Sequence, residues 1–259
     1  MRLEGRVALV TGAAHERGIG RGIALALAEE GCHVAVNDVG HAGMGEELAE
    51  QIRGLGRESA YLHADVSDRG QVDALVQRVE SELGPLEVVA SNAGVADWQP
   101  FVEITDESFD RIVGVNLTGA FNVGQAAARA MVARGRGGRI VFTSSIHVQM
   151  PFATMAVYGA TKQGVRVLCE SMAIELAPYG ITVNHICPGW VLSALNDPAP
   201  ALRDEQELRA SLAQIPLGGR PADPRELGRA VVYFASSDGD YVTGEHLRVD
   251  GGYVVGKFA

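Results

Sequence analysis

Short apolar runs alternate along the chain with stretches whose apolar residues recur every three or four positions. The runs Val7–Thr11, His33–Asp38, Ser59–Ala64, Leu86–Ser91, Arg139–Ser144, Thr182–Cys187 and His246–Val249 have the length of strands. Several are nearly continuous Val/Ile/Ala, as expected of strands covered on both faces. Between them Ile19–Glu30, Gly45–Leu55, Gln71–Leu83, Asp106–Arg134, Ala156–Ala177 and Pro224–Ala235 carry the helical period. This alternation predicts βαβ units: an α/β fold with a doubly wound parallel sheet of about seven strands and helices on both faces. No repeat, low-complexity tract or linker divides the chain, so residues 1–259 are read as one domain. The one irregular stretch is Trp190–Pro216, with Pro198, Pro200 and Pro216 around a charged, helical piece; an insertion of this length suits a substrate loop.

Composition narrows the class. The chain is 47% hydrophobic but only 6% aromatic and holds 32 glycines, which suits a sheet with close backbone approaches better than an aromatic-rich sandwich. A net charge of −10 argues against nucleic-acid and anionic-membrane partners. Cys32, Cys169 and Cys187 form no CxxC and are odd in number, as for small core residues in a reducing compartment. The start, Met1-Arg2-Leu3-Glu4-Gly5-Arg6, lacks the apolar core of a signal peptide, and no apolar run reaches membrane length. The expectation is a soluble cytoplasmic protein. No HExxH or Cys/His set has ligand spacing, so no metal is expected.

The first strand runs directly into Thr11-Gly12-Ala13-Ala14-His15-Glu16-Arg17-Gly18-Ile19-Gly20 and then a helix. Glycines at such a turn let the backbone approach a diphosphate, which a helix N-terminus favours electrostatically. Asp38 ends the second strand, where a carboxylate can bond the adenosine ribose and repel a 2′-phosphate. NAD is therefore preferred over NADP, although Arg17, just before Gly18, pulls the other way.

Tyr158 and Lys162 stand at i and i+4 on a predicted helix and so share a face. A free phenol has a pKa of about 10, so roughly one in a thousand is ionised at neutral pH, a gap of about 4 kcal/mol. A nearby ammonium acts to close that gap and makes the phenol a usable acid/base for an alcohol or carbonyl. Ser145 and Asn116 lie upstream.

Together these residues resemble the short-chain dehydrogenase/reductase family, over nearly the whole chain. The family's glycine turn appears as Thr11, Gly12, Gly18 and Gly20, with Ile19 between the last two; its adenine-side acid as Asp65 followed by Val66; its N-A-G motif as Asn92-Ala93-Gly94. Pro188-Gly189 follows the sixth strand, and the end reads Val249-Asp250-Gly251-Gly252-Tyr253. The resemblance implies a Rossmann-type fold, a nicotinamide cofactor, and Asn116, Ser145, Tyr158 and Lys162 as the catalytic set. In that scheme Tyr158 exchanges the substrate proton, Lys162 also holds the nicotinamide ribose, Ser145 donates to or orients the substrate oxygen, and Asn116 supports a water linking Lys162 to solvent. Cofactor contacts extend to Val191 and to Ser193, where many members have threonine. The turn departs from the family in having five residues, Ala13 to Arg17, between its first two glycines, where three are usual. A homotetramer is also implied.

Substrate is less legible. Ser144-Ser145-Ile146-His147-Val148-Gln149-Met150-Pro151-Phe152 resembles the corresponding stretch of bacterial glucose 1-dehydrogenases in the family, with Val148 where that subset tends to have glutamate. The likeness implies that His147 and Gln149 flank the pocket and bond sugar hydroxyls, with Trp190 and Trp98 closing it. A sugar or polyol dehydrogenase is expected first. A reductase of 3-oxoacyl, steroid or other apolar ketones is the enzymatic rival, opposed by the charged Asp197, Arg203, Asp204 and Glu205 of the loop. A nucleotide-sensing protein that keeps the fold without the chemistry is the third reading.

Overall fold

The structure, a computed structural model, describes residues 1–196 and 204–257. The expectations placed on Asp197, Pro198, Pro200 and Arg203 lie outside the described residues.

Seven strands form one parallel sheet: β1 (Val7–Thr11), β2 (His33–Asp38), β3 (Ser59–His63), β4 (Leu86–Ser91), β5 (Gly138–Thr143), β6 (Ile181–Pro188) and β7 (His246–Val249), in the order β3-β2-β1-β4-β5-β6-β7. The order reverses between β1 and β4, so a crevice opens beyond the carboxyl ends of those two strands. Nine helices are described among these residues: α1 (Ile19–Glu29), α2 (Ala42–Gly54), α3 (Arg69–Glu82), α4 (Asp106–Val113), α5 (Gly119–Arg134), α6 (Ala156–Leu176), α7 (Glu205–Ala213), α8 (Pro224–Ala235) and α9 (Tyr253–Gly256).

Successive strand residues point to opposite faces, and both faces are apolar. Ala8, Val10, Val34, Val36 and Val88 pack against α1, α2 and α8 through Ile23, Leu27, Leu48, Ile52 and Leu227. Val7, Leu9, Val89, Ile140 and Phe142 pack against α3, α5 and α6 through Leu75, Val79, Val123, Met131 and Val165. Each fully buried aliphatic side chain contributes about 1.5–3 kcal/mol. The helices α1 and α8 touch backbone to backbone: a Cβ on Gly228 would lie 2.5 Å from the Gly22 carbonyl oxygen and 2.6 Å from the Ala26 Cβ.

Three elements differ from the sequence expectations. The single helix expected over Asp106–Arg134 is interrupted by a π-helical turn at Gly114–Thr118, which carries Asn116. The second helix starts three residues before Gly45, at Ala42, after His41 in a left-handed conformation (φ 55°). A four-residue helix, α9, follows β7 and places Tyr253 and Val254 against Ile146 and Ile215. The helical piece expected in the loop is α7, opened by Asp204, whose side chain accepts from the Gln206 and Glu207 amides. Among the described residues no helix is long and apolar enough to cross a membrane.

Candidate active site

A cavity of about 680 Å³ occupies the crevice and runs from β2 across the β1–α1 turn to β6 and α9. Its floor is built from main chain. The Thr11 hydroxyl accepts from the Asn92 and Ala93 amides (3.0 and 3.1 Å), and the Asn92 side chain donates to the carbonyls of Thr11 and Gly12 (both 3.0 Å). These bonds clamp the end of β4 onto the glycine turn. Gly12 has φ +61°, and a Cβ there would stand 2.7 Å from the Ala93 Cα, so only glycine fits.

The lengthened turn has a definite path. The Ala13 amide continues the β1–β2 pairing onto the Asn37 carbonyl (3.0 Å), and the Ala14 amide reaches the Asp38 carboxylate (3.0 Å). A tight turn then follows, with the Gly18 amide on the His15 carbonyl (2.9 Å) and the Arg17 amide on His15 Nδ1 (3.2 Å). The amides of Ala13 and Ala14 are thus spent on β2 and that of Arg17 within the loop. What remains for an anion is the first turn of α1, which starts at Gly18 with no side-chain cap. Asp38 lines the cavity, and its other oxygen accepts from the Val39 and Gly40 amides (2.8 and 3.2 Å). It therefore organises both loops of this end as well as presenting charge. Arg17 is exposed and is not on the cavity wall; nor is Gly20, which lies buried behind Gly12.

The other residues carried over from the family's cofactor motifs do line the cavity: Gly18, Ile19, Asp65, Val66, Asn92, Ala93 and Gly94 on one side, Pro188, Gly189, Val191 and Ser193 on the other. Ser193 is buried, and a Cβ on Gly94 would stand in van der Waals contact with Asn116 Oδ1 (3.4 Å) and Lys162 Nζ (3.5 Å).

Ser145, Tyr158 and Lys162 meet at the centre of the wall. Ser145 follows β5, and Tyr158 and Lys162 sit one turn apart on α6, all three buried. Lys162 Nζ donates to the Thr143 carbonyl (2.9 Å) and lies 5.5 Å from the centre of the Tyr158 ring. Burial opposes the tuning expected of this cation. Burial pushes the Tyr158 phenol up to about 12, and the hydrogen bond with Ser145, which works the other way, does not offset it. Burial also brings the Lys162 amine down to about 8.

Asn116 stands behind this wall. Its side chain donates to the Val95 carbonyl (2.9 Å) and Thr161 Oγ1 (3.3 Å) and accepts from the Val95 amide (2.8 Å). Thr161 Oγ1 in turn donates to the Tyr158 carbonyl (2.7 Å). Asn116 thus holds the loop after β4 to the helix of Tyr158, and the π-turn is what swings it there.

On the substrate side the expectations divide. Trp190 and Trp98 line the cavity. Gln149 does not: it is exposed, its Nε2 is 2.8 Å from His246 Nε2, and its Oε1 accepts from Arg248 (2.8 Å), so it ties the loop to β7. His147 is on the wall but offers no free nitrogen there. Its Nδ1 is 2.8 Å from Ser145 Oγ, and its Nε2 is buried without a partner. Tyr253, a cavity residue that sequence reasoning did not assign, arrives on α9 and stacks with Phe152 (6.5 Å, 11°). Its only sequence signal was its place after Gly251-Gly252.

A dinucleotide-type crevice at the switch point of a parallel sheet, with a buried serine, tyrosine and lysine on one wall, defines an α/β oxidoreductase. The chain belongs to the short-chain dehydrogenase/reductase family: the family model described as enoyl-(acyl carrier protein) reductase matches residues 12–254. It is similar to the 3-oxoacyl-[acyl-carrier-protein] reductase FabG of Staphylococcus aureus, 40% identical over 245 residues that cover 95% of this chain and 96% of the relative. It is also similar to the L-rhamnose 1-dehydrogenase (NAD(P)(+)) of a Sphingomonas species, 36% identical over 253 residues that cover 98% of each. In structure it resembles a gluconate 5-dehydrogenase of Burkholderia cenocepacia in complex with NADP and tartrate, with a TM-score of 0.90, 34% identity, and 98% of this chain and 97% of that chain covered. Enzymes of this family work with nicotinamide cofactors.

Proposed function

We propose that this chain is an NAD-dependent dehydrogenase that interconverts a secondary alcohol and its carbonyl, with a sugar or polyol as substrate. The observation that carries the reading is one cavity wall shared by Ser145, Tyr158, Lys162, the glycine turn and Asp38. The residues fit a dinucleotide. The uncapped start of α1 suits a diphosphate, and Gly12 lets the glycine turn pack directly on the Ala93 backbone beside it. Gly12, Gly18, Ile19, Asp65, Val66, Asn92, Ala93 and Gly94 would hold it with Pro188, Gly189, Val191 and Ser193, and Asp38 would take the adenosine ribose. Bound there, the cofactor supplies the hydride acceptor or donor.

The chain's own residues handle the proton. Tyr158 Oη takes it from the alcohol or gives it to the carbonyl, and Ser145 orients the substrate oxygen. Lys162 supports the phenolate and the nicotinamide ribose, and Asn116 supports a water that links Lys162 to solvent. The preference for NAD rests on the Asp38 charge, which opposes a 2′-phosphate. Sugar is supported by the aromatic faces of Trp98 and Trp190 on the wall and by the likeness to rhamnose and gluconate dehydrogenases. A second reading, reduction of a 3-oxoacyl or other apolar ketone, is favoured by Phe152, Met155 and Tyr253 on the same wall, by the engagement of Gln149 and His147 elsewhere, and by the likeness to FabG. The homotetramer is part of the proposal and is tested by sedimentation.

The deciding experiment offers purified protein NAD and NADP with aldoses including L-rhamnose, gluconate and polyols, and separately NADH and NADPH with an acetoacetyl thioester, following nicotinamide absorbance. Turnover of a sugar or polyol with NAD supports the first reading. Reduction of the thioester with no response to any sugar or polyol replaces it by the second. Cofactor binding with no turnover on any alcohol or ketone returns the nucleotide-sensing protein.

A further inference from the structure

We infer that His147 is a positioning residue that fixes Ser145 as a hydrogen-bond donor to the reacting oxygen. The inference rests on the reading of Ser145 and Tyr158 given above. Ser145 opens a single 3₁₀ turn, Ile146–Val148, and its Oγ accepts from the His147 backbone amide at 3.2 Å. The same oxygen lies 2.8 Å from Nδ1 of the His147 ring. That ring is packed between Phe152 (4.6 Å, 44°) and the edge of Tyr158 (5.1 Å, 79°). Burial, and secondarily the Lys162 charge, push its pKa down to about 4, so it is neutral at physiological pH.

A neutral imidazole carries one N–H, and its partners decide where it sits. His147 Nε2 is buried and meets no hydrogen-bond partner. With the proton on Nε2, that N–H would be orphaned, while Ser145 would have to donate to Nδ1. With the proton on Nδ1, only a lone pair is left alone, and buried acceptors without a partner are tolerated more often than buried N–H groups. The Nδ1–H form is therefore the resident one, and it donates to Ser145 Oγ.

The consequence falls on the serine. A hydroxyl has two acceptor lone pairs, and His147 occupies both, one from its ring and one from its backbone. What Ser145 has left is its own proton. Ser145 thus cannot accept the proton of an alcohol. It donates to the substrate oxygen in both directions, and Tyr158 alone exchanges the proton.

The first test is nitrogen NMR on the wild-type protein with labelled histidine, which needs no substrate and no variant. A protonated Nδ1 on His147 is expected; a protonated Nε2 overturns the inference. The second is a double-mutant cycle of Ser145→Ala and His147→Leu, using the best substrate of the panel above. His147→Leu alone should lower kcat about tenfold to a hundredfold, with KM and NADH affinity within about twofold. In the Ser145→Ala background it should cost nothing further, because its route through the serine is gone. Equal losses in both backgrounds mean that His147 acts independently, and the inference fails while the active-site reading stands. Full turnover by Ser145→Ala would instead bring down the active-site reading itself.

Discussion

Replacing Lys162 by methionine should stabilise the cofactor-free protein at neutral pH while removing its turnover. The amine is buried, and in the fold its pKa falls from 10.5 to about 8. At about 1.4 kcal/mol per pKa unit, that gap sets a ceiling of about 3 kcal/mol on the cost of keeping the ammonium folded and charged. Against it stands the hydrogen bond to the Thr143 carbonyl at 2.9 Å, worth about 1 kcal/mol. The net expectation is a gain of about 2 kcal/mol, or roughly 5 °C in melting temperature for a chain of this size.

The sign of the pH dependence is fixed by the direction of the shift. Between about pH 8 and 10.5 the unfolded amine holds a proton that the folded one has released, so wild-type stability rises with pH through that window from this group. Below it the whole penalty is present. Tyr158 acts oppositely, since its phenol goes from 10.0 to about 12 on folding and its contribution is lost only above the lower value. Thermal melts of wild type and Lys162→Met at about pH 7 and about pH 9.5 therefore separate the two groups. The advantage of the variant should be largest at the lower pH and mostly gone at the higher. A variant less stable than wild type at neutral pH, or a difference that does not change between the two conditions, refutes the reasoning.

Tyr158→Phe should reduce turnover by about a thousandfold or more while NADH affinity, followed by fluorescence titration, stays within about twofold. With the phenol at about 12, alcohol oxidation needs a rare phenolate, so its rate should climb by up to about tenfold per pH unit until Lys162 begins to lose its own proton near 8, whereas carbonyl reduction, which uses the neutral phenol, should not climb; a flat oxidation profile would contradict that burial. Asp38→Ser removes the acceptor for the Ala14, Val39 and Gly40 amides and the charge that opposes a 2′-phosphate. It should lower stability by about 1–2 kcal/mol and move the NADP-to-NAD ratio of kcat/KM upward by about tenfold, read from denaturation and steady-state kinetics. Gly228→Ala should cost about 1–3 kcal/mol, because its Cβ would press on the Gly22 carbonyl at 2.5 Å; a melting temperature equal to wild type would mean that α1 and α8 separate freely.

The central strands were legible because they are apolar on both faces, a signal that depends on the chain alone. The π-turn was not. Gly114-Val115-Asn116-Leu117-Thr118 continues the helical pattern of its neighbours, and the extra residue in its turn answers a tertiary demand, the reach of Asn116 to both backbone groups of Val95. The start of α2 was missed for a related reason: Ala42-Gly43 is a weak helix opening, and His41 takes a left-handed conformation that residue type does not announce. Most of the residues expected on the cofactor side line the cavity, because their positions follow from main-chain turns at strand ends. Arg17 and Gly20 are off the wall, the first exposed at the end of the lengthened turn and the second packed behind Gly12.

Side-chain roles were harder to read, because spacing gives a face but neither a distance nor a partner. Gln149 follows His147 by two residues, yet one lines the cavity and the other bonds β7. Likewise the i, i+4 spacing puts Lys162 and Tyr158 together but does not say that the ammonium bonds the Thr143 carbonyl, 5.5 Å from the ring centre. Burial then acts on both groups against their charged forms, raising the phenol and lowering the amine. A phenol pushed up by burial is a rarer base at neutral pH but a competent acid. Burial therefore favours the neutral phenol, the form that can give a proton to a carbonyl oxygen, while the Lys162 ammonium on the same wall favours the phenolate.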